Sequence, residues 1–195
     1  MFLDSVGIIL RKNELSPYKI TLLDKLQGKI ESVVSDIQIS VGALIMYTLR
    51  QKGSTYFMAD AHLIYIPLSL AKADMLFFHH VLELIYYFTQ VGNNVAVFDL
   101  LALLYSTEHA DMTVQSKKFF LLQLLTMMGS MPEVDYARSE RIMRFATMNI
   151  KQLNDITMSV ADEKELDRWL WCCVWQHPYV NEFRTVHFLV ENRVI

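Results

Sequence analysis

The first 67 positions form short runs of β-forming apolar residues that are separated by turn-forming residues, and residues 18–23 alternate between polar and apolar. A period of two is the pattern of half-buried β-strands. The predicted strands are residues 6–12, 18–23, 29–35, 42–50 and 55–65. As an open sheet, five such short strands would leave two exposed edges, so we expect them to close into a small barrel.

From about residue 69 the apolar residues recur every three to four positions, which predicts helices. The predicted helices are residues 70–91, 95–105, 113–128, 139–148 and 159–178, with a final helix in 181–195. The most apolar run, residues 75–88, contains His79, His80 and Glu83 and is shorter than the roughly 20 residues that a bilayer span needs. We therefore predict a barrel over residues 1–68, a helical domain over 69–195 and no membrane partner.

The two cysteines, Cys172 and Cys173, are neighbours in the chain. A disulfide between adjacent cysteines closes a strained ring, and no pair of cysteines has the spacing of a zinc site. We interpret both as thiols on a buried helix and predict no metal. Reduced thiols, and an N-terminus without a basic segment followed by an apolar run, are typical of a cytoplasmic protein.

Motifs of catalysis are missing from the sequence: there is no nucleophile elbow, phosphate loop, dinucleotide fingerprint or zinc-protease helix. We therefore expect a protein that is not an enzyme and has no cofactor. The tryptophans Trp169, Trp171 and Trp175 are interpreted as core rather than as a stacking surface, because helical spacing already puts Trp171 and Trp175 on one face.

The chain carries 18 Lys and Arg against 21 Asp and Glu, a net charge of −3, so it has no global basic field. Within the predicted barrel, however, basic residues are interleaved with tyrosines. Single-strand binding by small barrels uses cations along the phosphates and aromatic rings against the bases. The candidate nucleic-acid-binding residues are Arg11, Lys12, Tyr18, Lys19, Lys25, Lys29, Tyr47, Arg50 and Lys52. The alternative is an ordinary solvated barrel surface.

Several segments, in the same order along the chain, resemble the bacterial RecO family of recombination mediators. They are VGIILR at 6–11, KITLLDK at 19–25 with GKI at 28–30, 44–49, 55–66, ADM at 73–75, FDLL at 98–101, 119–132, 168–175 and 183–189. The resemblance covers nearly the whole chain and depends on the order of the segments.

The resemblance implies an α+β protein in two parts, with an N-terminal five-stranded OB-fold β-barrel followed by an all-α helical bundle. It implies a non-enzymatic DNA repair protein that binds and anneals single-stranded DNA and helps to load recombinase at gaps. The implied partners are single-stranded DNA, a RecR-like protein and the acidic tail of the single-strand binding protein.

A docking site for that tail would need an apolar pocket and a cation for the terminal carboxylate. The candidate partner-binding residues are Lys117, Lys118 and Leu121 beside Phe119 and Phe120, or else Arg138, Arg141 and Arg144 on the next helix. The simpler interpretation is that the two phenylalanines are core and that the lysines are a solvated first turn.

Two features depart from the family pattern. Residues 34–40 contain no cation where many members have a basic run, which predicts weaker DNA binding because phosphate contacts dominate it. Residues 133–137 contain no cysteine where some members carry a four-cysteine zinc insertion. The alternative function is therefore an interaction scaffold that combines an OB-fold with helices and has little or no DNA binding.

Overall fold

The computed structural model describes residues 2–16, 18–34, 39–90, 92, 94–106, 112–130, 142–143, 145–146 and 158–185. The strands are β1 (Phe2–Lys12), β2 (Lys19–Asp24), β3 (Gly28–Val34), β4 (Leu44–Lys52) and β5 (Thr55–Tyr65). The helices are α1 (Leu68–Ala73), α2 (Met75–Phe88), α3 (Val95–Ser106), α4 (Val114–Met127) and α5 (Val160–Trp175), and a short 3-10 turn follows at Val180–Glu182.

The five strands form a closed barrel in the order β1-β2-β3-β5-β4, with β4 pairing back onto β1. Every pairing is antiparallel except that between β3 and β5, which is parallel. Closure gives each strand two hydrogen-bonded neighbours, so the barrel has no free edge. The prediction of a five-stranded N-terminal barrel followed by helices is confirmed.

Successive side chains of a strand point alternately into the barrel and away from it. On β4, Ile45, Tyr47 and Leu49 are buried, whereas Met46 between them and Arg50 after them are exposed. The buried cluster in the barrel comprises Ile9, Ile20, Leu22, Ile30, Val34, Ala43, Ile45, Tyr47, Leu49 and Met58.

A buried carboxylate, that of Asp24, holds the turn between β2 and β3. It accepts hydrogen bonds from the hydroxyls of Ser5 and Tyr47 and from the backbone N–H groups of Leu26 and Gln27. An ionised carboxylate can be buried when its oxygens are all hydrogen-bonded in this way. The side chain therefore links strands β1 and β4 to the β2–β3 turn.

The helices follow the predicted segments with one interruption. The predicted helix over 70–91 is divided at Asp74, whose carboxylate accepts a hydrogen bond from the N–H of Phe77 and so caps the first turn of α2. Thr113 and Ser159 cap α4 and α5 in the same manner. Residues 139–141, 144 and 147–148 of one predicted helix, and 186–195 of the last, lie outside the described residues. In the described part of that last predicted helix, residues 181–182 belong to the 3-10 turn and residues 183–185 are not helical.

The chain divides into two compact units. The first comprises Met1–Lys72 and Leu82–Thr107, and the second comprises Ala73–Val81 and Glu108–Ile195. The barrel ends near the predicted boundary at residue 68, but α3 and the C-terminal half of α2 belong to the same compact unit as the barrel. Contacts within this unit give a reason, since the Tyr105 hydroxyl of α3 donates to the carbonyl of Gly42.

Candidate nucleic-acid interface

A row of four outward-facing residues crosses β2, β3, β5 and β4 on the outside of the barrel. Lys19 lies opposite Val33, Val33 opposite Phe57, and Phe57 opposite Arg50. Residues that are paired across neighbouring strands point to the same side of a sheet, and here both cations are exposed. We call these four residues the outer row. With strands about 4.8 Å apart, the row extends over about 14 Å.

The outer row has an apolar centre and a cation at each end. Phe57 is 39% exposed and Val33 is partly buried, and they separate Lys19 from Arg50. A phosphate chain that followed the row would meet a positive charge at either end, with an aromatic ring between the two. This is the mixture of groups that sequence-independent single-strand binding requires.

Two more of the predicted binding residues adjoin the outer row. Tyr18 is 59% exposed and directly precedes Lys19, and exposed Lys52 ends β4 two residues beyond Arg50. Lys12 is half-buried and lies opposite Ile20. Lys25 is exposed in the β2–β3 turn, at the other end of β2 from Lys19. The structure therefore brings Lys19, Arg50 and Lys52 to one side, with exposed Tyr18 next to Lys19 in the chain, and leaves Lys25 apart from them.

The remaining two predicted cations, Arg11 and Lys29, are engaged with a tyrosine of α2. The Arg11 guanidinium lies 4.9 Å from the centre of the Tyr86 ring and donates to the hydroxyl of Tyr87. The Lys29 Nζ atom donates to the backbone carbonyl of Tyr86 at 2.7 Å, and burial lowers the pKa of its ammonium. These two side chains hold the helix to the barrel, so they are poorly placed to contact phosphate.

Tyr47 is a correction to the sequence-based prediction. Its side chain is 1% exposed and its hydroxyl donates to Asp24, so the ring offers no face to a base. Burial raises the pKa of this hydroxyl, which keeps it protonated as a donor. The prediction that Tyr47 stacks on nucleic acid is wrong. The alternation with Ile45 and Leu49 is the signal in the sequence that could have placed it inside.

A groove of about 250 Å³ lies beside Lys19, between the β1–β2 loop and Tyr86. Arg11 and Lys19 supply positive charge to its wall, but Glu14 and Glu31 line it as well. Carboxylates repel an entering phosphate and offset the two cations. A phosphate chain would therefore meet a less favourable charge in the groove than along the outer row.

The predicted docking site for an acidic tail is also corrected. The Lys117 Nζ atom lies 2.7 Å from Asp74, and that of Lys118 lies 2.6 Å from Asp167 and 3.1 Å from Glu163. Both cations are thus neutralised within the protein, and Lys118 is only 3% exposed.

The apolar part of that site is buried too, since Leu121 is 1% exposed and Phe119 and Phe120 are fully buried. The prediction of a docking site at Lys117, Lys118 and Leu121 is therefore wrong. The simpler interpretation is confirmed for the phenylalanines, which are core, but it is wrong for the lysines, which form ion pairs instead of a solvated first turn. The alternative residues Arg138, Arg141 and Arg144 lie outside the described residues.

Both cysteines are free thiols, with Cys173 buried and Cys172 partly buried. Burial raises the pKa of the Cys173 thiol. Across the described residues, no group of three or more His, Cys, Asp or Glu side chains could hold a metal ion. Residues 133–137, the place of the zinc insertion in some RecO proteins, are not among them.

Among the helices that the structure describes, none has the length and apolarity needed to cross a membrane. On the barrel, the outer row and the adjoining Tyr18 and Lys52 combine exposed cations with exposed aromatic rings. The sequence matches no protein-family model and no curated protein.

Proposed function

We propose that the barrel is an OB-fold that binds single-stranded DNA along the outer row without reading its sequence. We further propose that the protein belongs to the RecO family and acts as a cytoplasmic, non-enzymatic recombination mediator in DNA repair. The observation that carries the proposal is the outer row, in which Lys19 and Arg50 flank Phe57 across four neighbouring strands.

The strand order supports the OB-fold. An OB-fold is a five-stranded Greek-key barrel that binds oligonucleotides on strands 2 and 3 and on the loops between strands 1 and 2 and between strands 4 and 5. Lys19 and Val33 lie on β2 and β3, Tyr18 ends the β1–β2 loop, and Lys52 adjoins the β4–β5 hairpin. The positions of Tyr18, Lys19, Val33 and Lys52 on these strands and loops support the proposal, while Arg50 and Phe57 lie on β4 and β5 beside them.

The chemistry of the row favours binding that does not depend on sequence. Lysine and arginine attract phosphate oxygens, and phosphate contacts position a strand without distinguishing bases. The exposed rings of Phe57 and Tyr18 can stack on any base. With three exposed cations at Lys19, Arg50 and Lys52, the salt dependence should be modest. We expect log Kobs to fall with log salt with a slope of about −2, from about −0.7 for each contact to a single strand.

The proposal is tested by fluorescence anisotropy with a labelled oligothymidine across a salt series. The Lys19→Ala, Arg50→Ala double variant should weaken binding and reduce the magnitude of the salt slope by about 1.4, since it removes two phosphate contacts. The matched control is Lys25→Ala, Lys72→Ala, which also removes two exposed cations but none from the row. Equal losses in the two double variants would show that only net charge matters, and would contradict the outer row as the site.

The ring of Phe57 provides an independent test. Phe57→Ala should lower affinity by about 1–3 kcal/mol if a base stacks there, while leaving the salt slope unchanged. Met46→Ala removes another exposed apolar side chain of the barrel, on β4, and serves as the control. An effect on the slope, or none on affinity, would argue against stacking at Phe57.

A protein-interaction scaffold is the second candidate, favoured by exposed apolar side chains on β4 and β5. Met46 is 47% exposed, Leu63 51% and Ile64 49%. Apolar residues that are exposed together mark protein-binding surfaces. If wild-type protein binds no oligonucleotide even at low salt, this candidate is preferred, with a RecR-like protein or the tail of single-strand binding protein as the partner to be tested.

A further inference from the structure

The solvent side of α5 carries a stripe of basic and aromatic residues. Positions three and four apart on a helix share a face, and here that spacing aligns Lys164, Arg168, Trp171 and Trp175. The opposite side, with Leu166, Leu170 and Cys173, is buried. We call the four residues of the exposed side the α5 stripe.

The two tryptophans of the α5 stripe form a stack that is open to water. Their ring centres are 5.2 Å apart and their planes differ by 18°. Trp171 is half-buried, but Trp175 is 58% exposed although its partner covers one side of the ring. Trp175 was interpreted from the sequence as core, and that interpretation is wrong. An exposed indole that is held flat by a neighbour is a preformed surface on which another ring can stack.

The charges near the stripe favour an anionic occupant. Lys164 and Arg168 are both exposed. Three of the acidic side chains of α5 are engaged elsewhere, because Glu163 and Asp167 pair with Lys118 and Asp162 accepts a hydrogen bond from Ser159. The fourth acidic residue, Glu165, precedes Arg168 by three positions and so lies beside the stripe. Among the described residues, the ion pairs of this helix are those of Glu163 and Asp167 with Lys118. Two cations against the one carboxylate of Glu165 leave the stripe with a net positive charge.

We propose that the α5 stripe is a second contact for single-stranded nucleic acid, with a base stacked on Trp175 and phosphates beside Arg168 and Lys164. A flat ring next to two cations fits a base and its backbone better than it fits an acidic peptide, which would use the charges but not the stack. The inference rests on the proposed function, single-strand binding. It adds a contact in the second compact unit, and a protein that anneals strands needs more than one contact with nucleic acid.

The test measures oligothymidine binding by anisotropy and by tryptophan emission. Trp175→Ala should weaken binding about fivefold or more, and Trp175→Phe should lose less because a ring remains. Arg168→Ala should reduce the magnitude of the salt slope by about 0.7. Met127→Ala removes an exposed apolar side chain from α4 and is the control, for which we expect no change. Oligonucleotide should quench the emission of the wild type, and Trp175→Phe should remove most of that quenching.

The outcomes separate this inference from the proposed function. If Trp175→Ala binds like the wild type while Lys19→Ala, Arg50→Ala binds weakly, the α5 stripe is not a contact and the barrel proposal stands. If only the tryptophan variant binds weakly, the barrel proposal fails and the stripe stands. If the wild type binds no oligonucleotide, both fail. Quenching by an acidic peptide but not by oligonucleotide would overturn the inference in favour of protein docking.

Discussion

The ion pairs of Lys118 allow a quantitative prediction, since a nearly buried ammonium lies 2.6 Å from Asp167 and 3.1 Å from Glu163. Replacing it in Lys118→Met keeps most of the side-chain volume but leaves the Asp167 carboxylate, itself 7% exposed, without its closest counter-ion. Burial already raises the pKa of Asp167 in the intact protein, and Lys118 opposes that rise. Without Lys118 the pKa should rise further.

The size of the effect can be bounded from the proton that Asp167 can take up. Holding an aspartic acid of ordinary pKa 3.8 protonated at pH 7 costs about 4 kcal/mol, at about 1.36 kcal/mol per pH unit. The variant can always adopt this protonated form, so the electrostatic part of its destabilisation at pH 7 should not exceed about 4 kcal/mol. This bound agrees with the roughly 3–5 kcal/mol found when one partner of a buried pair is removed. Glu163 adds little, because its side chain is 45% exposed.

The sign of the pH dependence follows from the same argument. An acid whose pKa is higher in the folded than in the unfolded state favours folding at low pH, and its contribution is lost as pH rises through the folded pKa. The free energy of unfolding of Lys118→Met should therefore approach that of the wild type near pH 4 and fall increasingly below it towards pH 7.

Urea denaturation at a series of pH values checks this prediction, with Lys164→Met as the control because Lys164 is exposed on α5. Adding Asp167→Asn to Lys118→Met should restore much of the loss at pH 7 and flatten the pH dependence, since no buried carboxylate remains. A loss below about 1 kcal/mol at pH 7, or a loss that does not change with pH, would refute the reasoning that Lys118 stabilises a buried charge.

Three further predictions concern other buried groups. Tyr47→Phe should lower the free energy of unfolding, measured in urea, by about 1.5–3 kcal/mol, because it removes a hydrogen-bond donor to the Asp24 carboxylate. A change in oligonucleotide affinity in this variant would contradict the burial of the ring. Gly28→Ala should lower the melting temperature far more than Gly53→Ala. Both glycines have positive φ, but a methyl group at Gly28 would lie 1.4 Å from a backbone carbonyl oxygen, whereas one at Gly53 would meet nothing within 4 Å. Similar losses of melting temperature in the two variants would count against this close approach at Gly28. Burial lowers the pKa of His80 to about 3. The free energy of unfolding should therefore fall as pH falls from 6.5 towards 3, by up to about 1.4 kcal/mol per pH unit. A His80→Leu variant that keeps this slope would disprove the assignment of the pH dependence to His80.

Local periodicity was sufficient to predict β3 and β4, where buried residues alternate with more exposed ones. In β2 five of six residues are buried and β5 is mostly exposed, so these strands were predicted from their β-forming residues and the turns beside them. Local periodicity was also sufficient for α2, where the predicted apolar run and the helix Met75–Phe88 coincide. The division between α1 and α2 was missed because it depends on one side chain, Asp74, which ends the first helical run and caps the next. Tyr47 was misplaced because residue type was given more weight than its position between Ile45 and Leu49.

The candidate site was harder to predict, because whether a cation is available depends on residues that are distant in sequence. Lys118 is neutralised by Asp167, 49 positions away, and Lys29 is held by Tyr86, 57 positions away. No local pattern contains that information. By contrast, Lys19 and Arg50 come together through strand pairing, which follows from the order of the strands in the barrel.

The contacts of Tyr86 have a practical consequence for anyone who divides the protein to study it. A fragment that ended at residue 68 would contain Arg11 and Lys29 but not the tyrosine that both of them contact. Its surface would present two cations that the intact chain keeps occupied, and the Lys29 ammonium would recover its full hydration. Such a fragment should therefore bind nucleic acid more tightly and with a steeper salt dependence than its parent. Measurements on the barrel alone would thus report an affinity that the whole protein does not have.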